Sequence, residues 1–99
     1  MTRSLVISNR AEEDLLGIWL WTHEQFGERQ ADRYLDLLAA GLKACGANPK
    51  TGQNREAIRA GYWSHRIGKH VVFYKILDEA VLIQRVLHAS MDFDSHLPD

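Results

Sequence analysis

The spacing of apolar residues changes once along this chain, and that change constrains the fold more than any other feature. Up to Ala47 the hydrophobes recur at every third or fourth position, the period of one helix face. Beyond Glu56 they run in β-branched and aromatic blocks with a period of two. Between the two regimes lies "NPKTGQNRE", Asn48 to Glu56, polar and rich in turn residues, which reads as a connecting loop. A chain that sets its helices before its main run of strands segregates the two, which is the α+β arrangement.

The details follow from local chemistry. "SLVIS", Ser4 to Ser8, reads as a short strand. Ser8 or Asn9 can then cap a helix, with Glu12, Glu13 and Asp14 in its first turn, where the helix dipole favours acids. Ala11, Leu15, Ile18, Trp19, Thr22 and Phe26 share its core face, and Gly27 is placed to end it. A second helix buries Ala31, Tyr34, Leu35, Leu38, Leu42 and Cys45, with Gly46 and Pro49 as the stop. So short a turn forces the two helices antiparallel, with Gly41 expected to let their backbones approach. "IRAGYWSHRI", "GKHVVFYKIL" and "AVLIQRVLHA" then form a three-stranded meander, turning at Gly68-Lys69 and Asp78-Glu79. The order is β-α-α-β-β-β: a helical hairpin packed on an antiparallel sheet, with a short C-terminal segment. At 99 residues there is material for one core, so residues 1–99 are read as a single domain.

Charge is shared unevenly. The formal net charge is -1, which argues against a uniformly basic surface and against specific nucleic-acid binding by this chain alone. Yet Lys50 to Met91 carries seven Lys/Arg against three Asp/Glu, while residues 1–49 and the tail from Asp92 are net acidic. A locally basic face suits an anionic partner. The lone Cys45 has no disulfide partner and falls in the buried stripe, and no run of residues is apolar enough to span a membrane or to serve as a secretory leader. The chain is therefore expected to be cytoplasmic. No paired-cysteine, HExxH, calcium-loop or phosphate-loop pattern is present, and His88, Asp92 and His96 offer only the four-residue step of any helix, so no metal or cofactor is expected. Ser64 and Ser90 lie near histidines but lack a nucleophile elbow, so covalent catalysis is not expected either.

Both helices carry more hydrophobes than one face can hide. Leu16 and Leu20 flank the core stripe of the first helix, Trp21 lies well off it on the other side, and Leu37 flanks the second; these are candidate partner surface.

The stretch "LIQRVLHASMD", Leu82 to Asp92, carries the strongest polar candidates. In a strand Arg85 and His88 project to opposite faces, which argues against a catalytic pair. Arg85 is expected to share a face with Val81, Ile83 and Leu87, its partner an acid such as one in the tail; His88 is expected beside Leu82, Gln84 and Val86.

Taken together, "SNRAEEDLLGIWLWTHEQFG", "NPKTGQ", "IRAGYWSHRIGKHVVFYKI" and "IQRVLHASMDF" resemble, in this order and spacing from Ser8 to Asp94, the ParE branch of the RelE/ParE superfamily of bacterial toxins. The resemblance implies a ParD-like antitoxin encoded beside the toxin and forming a hetero-oligomer with it, and DNA gyrase as the target, inhibited through binding and without bond-making. It points to Arg59, Tyr62, Arg66, Lys69 and His70 of the first hairpin, with Arg85, His88, Met91 and Phe93, as target-binding candidates. Leu16, Leu20, Trp21 and Leu37 would be anchors for the antitoxin. Where many ParE-like sequences place a basic residue after the Gly-Tyr pair, this one has Trp63. RelE-type members instead cut messenger RNA on the ribosome with a cationic set; the positions that match it here hold Trp63, Ser64 or His65, then Val71, then Ser90 or Met91. The alternatives are a ribonuclease using His65, Arg66 and His88, and a degenerate toxin that binds only its antitoxin.

Overall fold

The computed structural model describes residues 3–98, so Asp99, one of the acids of the tail, lies outside it. Strand β1, Ser4–Ile7, leads into helix α1, Asn9–Phe26, whose first turn is capped where the Ser8 hydroxyl accepts from the Ala11 N–H at 3.0 Å. Gly27 closes α1 at φ 90°, a conformation that a side chain resists, while its carbonyl accepts from Ala31 and opens helix α2, Glu28–Ala47. One residue thus serves both helices. α2 runs through Gly46, which stays helical, and stops at Ala47 with Asn48 as its cap; Pro49 then starts a 3-10 turn, Pro49–Thr51.

The helical stripes fall as their spacing predicts, with two corrections. Phe26 was expected in the core and is 65 % exposed. As the last helical residue it has no following turn to cover it, and its ring meets the edge of Trp21 instead. Gly41 does not serve the contact between helices: a Cβ there would lie 2.2 Å from Cδ1 of Ile67, so the glycine lets α2 settle onto the sheet. The helices are joined by the Trp19 indole N–H donating to Asp32 at 2.9 Å.

The sheet has the order β1-β5-β4-β3-β2, with β2 Gln53–Asn54, β3 Tyr62–Ile67, β4 His70–Ile76 and β5 Ala80–His88. β2 to β5 pair antiparallel, and β1 joins the far side parallel to β5, which the long helical crossover permits. The loop Asn48 to Glu56 therefore conceals a strand, too short to show a period. The first long strand begins at Tyr62 and not at Ile58, because the Arg55 carbonyl accepts from the N–H groups of Ile58 and Arg59 and keeps that stretch in turns. The helices cover one face, packing Leu38, Leu42 and Cys45 on Val72, Tyr74, Ile83 and Val86. On the other face Tyr62, Val71, Phe73 and Leu87 are roofed by Phe93 and Leu97 of the tail, which contains a single helical turn, α3 Phe93–His96.

A bulge sets what β5 presents. Phe73 pairs with Arg85 but Tyr74 pairs with Ile83, which leaves Gln84 as the extra residue. The side-chain alternation flips there. Arg85 and Leu87 consequently face away from the helices, whereas Val81 and Ile83 face them, and His88 lies with Val86 and His70 on the helical side, away from Leu82. Arg85 and His88 do project to opposite faces, since both follow the bulge.

Arg85 is buried, and its guanidinium clasps Asp14 of α1 through two bonds, Nε to Oδ2 at 2.8 Å and Nη2 to Oδ1 at 2.9 Å. Nη1 donates to the His96 carbonyl at 2.8 Å, and Oδ2 of Asp14 also accepts from the Val86 N–H at 2.9 Å. The acid that answers Arg85 is therefore on the first helix and not in the tail. Replacing Asp14 by Ala orphans a buried guanidinium and a strand N–H together, at a cost of about 3–5 kcal/mol. Urea denaturation of Asp14→Ala should show a loss of that size, and a loss under 1 kcal/mol would show that the junction carries little.

Candidate functional site

The nine residues expected to meet a target separate into three groups. Tyr62 and Arg85 are buried and belong to the framework, which corrects their assignment to a contact surface: the Tyr62 hydroxyl donates to the Pro98 carbonyl at 2.5 Å, and Arg85 is spent on Asp14 and His96. Arg59, Met91 and Phe93 hold the tail against the sheet. Arg59 donates to both the side chain and the carbonyl of Asp94 at 2.8 Å, and the Phe93 ring lies 4.8 Å from that of Phe73. Met91 packs half-buried on the same apolar cluster. The third group, Arg66, Lys69, His70 and His88, gathers at the β3–β4 hairpin end, with Arg66, Lys69 and His88 exposed.

The two histidines there are fixed by their neighbours. The Lys69 N–H donates to the Tyr34 hydroxyl at 3.1 Å, and the same hydroxyl shares a hydrogen bond with Nδ1 of His70 at 2.6 Å. Nδ1 of His88 faces the Ser90 hydroxyl at 2.7 Å and accepts from the Ser90 N–H at 3.1 Å. Their rings meet edge to face at 5.3 Å. Each Nδ1 is thereby engaged by a neighbour within the hairpin end. His96, by contrast, donates through Nδ1 to the Asp92 carbonyl, so His88, Asp92 and His96 do not converge on a common point. Among the described residues no group of three His, Cys, Asp or Glu could hold a metal.

Sequence reasoning missed a cleft. It opens on the helix-free face, has a volume of about 480 Å³, and its walls include Arg55, Ser64, Arg66, Val71 and Phe93. Arg55 lay within a stretch read as plain connector. The available signal was its separation from Ser64 and Arg66, which share a strand face and so point together across the hairpin-like turn.

On the helical side of the molecule the apolar residues expected to meet the antitoxin stand in the open. Leu16 is 59 % exposed, Leu20 53 % and Trp21 59 %, and the Trp21–Phe26 edge contact extends the patch to the end of α1. Leu37 is exposed too. At 3.6 residues per turn, however, it sits roughly 140° around α2 from Asp32, the residue that binds α1. It therefore belongs to another flank.

Comparison with known proteins places this geometry. A family described as the ParE toxin of the type II toxin-antitoxin system, parDE, matches residues 5–93. The chain belongs to the ParE toxin family. Similar relatives include Toxin ParE1 of Mycobacterium tuberculosis, 35 % identical over 98 % of this chain and 100 % of that protein, and Toxin ParE1 of Caulobacter vibrioides, 41 % identical over 92 % and 94 %. In fold, the chain is similar to the chromosomal ParDE system from P. aeruginosa, with a TM-score of 0.79 at 16 % identity over 88 % of this chain and 96 % of that one. It is also similar to the RelBE2 toxin-antitoxin complex of Mycobacterium tuberculosis, with a TM-score of 0.65 at 23 % identity over 89 % and 99 %.

In this ParE family member burial shifts two titratable groups in opposite directions. Cys45 is buried, and burial pushes its thiol up to about 11, which leaves it unreactive. His70 is pushed down to about 4, first by desolvation and then by His88, with Asp14 opposing. Its neutral form is therefore favoured by folding. That contribution is complete above the unfolded value near 6.5 and is lost as the pH falls toward 4. Denaturation midpoints at pH 7 and pH 4.5 should consequently converge in His70→Gln relative to the parent, and an equal drop in both proteins would contradict the assignment. No helix among the described residues is long and apolar enough to cross a membrane.

Proposed function

We propose that this ParE family member is a cytoplasmic toxin, neutralised by a ParD-like antitoxin, that inhibits DNA gyrase by binding it and makes no bond of its own. The observation that carries the antitoxin reading is the row of large apolar side chains left in water on α1, where Leu16, Leu20 and Trp21 present more hydrophobic surface than a solvated helix needs. An amphipathic segment laid along that helix would cover them. Structures similar to this chain include a ParDE system and a toxin-antitoxin complex, which supports a partner of that kind.

The preference for binding over cleavage is supported by what occupies the positions that RelE-type toxins fill with cations. Val71 is buried in the apolar cluster beneath the tail, Trp63 packs toward the helical core, and Ser64 is buried with its hydroxyl accepting from Arg55 at 2.7 Å. Phosphodiester cleavage needs a cation at the developing charge and a group to move protons beside it, and Trp63, Ser64 and Val71 supply neither. The surface left for the target is the hairpin end with Arg66, Lys69 and His88, together with the tail.

Induction of this protein in its host should arrest growth with a response to broken DNA, relieved by co-expressing the small protein encoded beside it; arrest with intact DNA and cut messenger RNA would replace the reading by the ribonuclease one. Trp21→Ala should weaken the antitoxin complex by about 1–2 kcal/mol in calorimetry without moving the melting temperature. Equal affinity of variant and parent would remove Trp21 from the interface.

A further inference from the structure

The cleft on the helix-free face is lined by two oriented arginines, Arg55 and Arg66. Nε of Arg55 donates to the buried hydroxyl of Ser64 at 2.7 Å, and Nε of Arg66 donates to the Gly68 carbonyl at 2.9 Å. Each guanidinium is thus oriented through one edge nitrogen, and its two terminal nitrogens have no partner among the described residues. A guanidinium held in that way presents a planar fork that matches a carboxylate in two parallel bonds. No Asp or Glu lines the cleft, while Val71, Ala89 and Phe93 provide an apolar floor beside the two forks. In the tail, the Asp94 carboxylate accepts from Arg59 at 2.8 Å.

We propose that this cleft receives an Asp or Glu side chain of the antitoxin, gripped by Arg55 and Arg66, with the apolar residue next to it settling on the Val71–Phe93 floor. The inference rests on the reading of an antitoxin partner. It adds a second anchor on the face of the sheet opposite the helices, so that the partner must reach around the molecule from the α1 patch. It also gives the basic surplus of Lys50 to Met91 a structural use.

The test is calorimetry with the antitoxin encoded beside this chain, using the full-length parent, Arg66→Gln and Arg55→Lys. Arg66 is exposed, so its replacement leaves the fold intact; equal melting temperatures check both variants. Each should bind about tenfold or more weakly, and the parent should lose more affinity than Arg66→Gln between about 0.05 and about 0.5 M salt, over which the screening length falls several-fold. Replacing the partner's acids one at a time should find one whose loss costs the same and adds nothing to Arg66→Gln. Unchanged affinity in both folded variants overturns the proposal while leaving the antitoxin reading in place. A parent that does not bind the antitoxin overturns both. A short single-stranded oligonucleotide used as a second probe decides the rival occupant: if it binds the parent, fails to bind Arg66→Gln, and antitoxin affinity is unchanged, the cleft serves a phosphate backbone and the proposal falls.

Discussion

The carboxylate of Asp14 is the point on which the structure turns. β1 ends at Ile7, so beyond Ile83 the outer edge of β5 has no strand to pair with. The start of α1 fills that gap: Ser8 bonds the carbonyls of Ile83 and Gln84, and Asp14 takes the Val86 N–H. The bulge at Gln84 is what turns Arg85 to the far face, from where it reaches the same carboxylate and the His96 carbonyl. Helix, sheet edge and tail are thereby joined through one buried ion pair. The Asp14 hydrogen bond raises the pKa of Arg85 still further above its ordinary value, so the guanidinium stays charged. A buried pair of this kind gives specificity of arrangement more than net stability, since its desolvation offsets much of its attraction.

This junction explains why a conspicuous arginine in the last strand is not a contact residue. It holds the tail over Val71, Phe73 and Leu87, and Tyr62 adds a second tie from its hydroxyl to Pro98. The tail is thus part of the core's second layer, and the surfaces that remain are on either side of the sheet: the apolar patch of α1, and the cationic hairpin end with its cleft. An antitoxin that spans from the α1 patch into the cleft would cover part of the hairpin end proposed for the target, and would silence the toxin by competing for it.

Much of the fold was legible in the sequence because periodicity reports burial directly. The stripes of α1 and α2, the turn at Gly27 and the two hairpins follow from it, and so does the exposure of Leu16, Leu20 and Trp21, which lie off the stripe. What the sequence hid were events without a period. β2 is two residues long, a bulge is a single inserted residue, and the partner of Arg85 lies 71 positions away in the chain. Gly41 was read as a contact between helices because spacing reveals a face and not what the face meets. For the site, Arg55 was concealed in a loop whose composition signalled only a turn, while Tyr62 and Arg85 were over-read, since burial of a tyrosine or an arginine depends on partners that no local pattern encodes.

The central claim is that this surface acts by capturing a protein and not by cutting a nucleic acid. Purified gyrase from the same host, supercoiling a relaxed plasmid in the presence of this protein freed from its antitoxin, tests it most directly when run beside ribosome-bound messenger RNA. The account predicts lost supercoiling with linear DNA accumulating and the messenger intact. Cleaved messenger with normal supercoiling would contradict it.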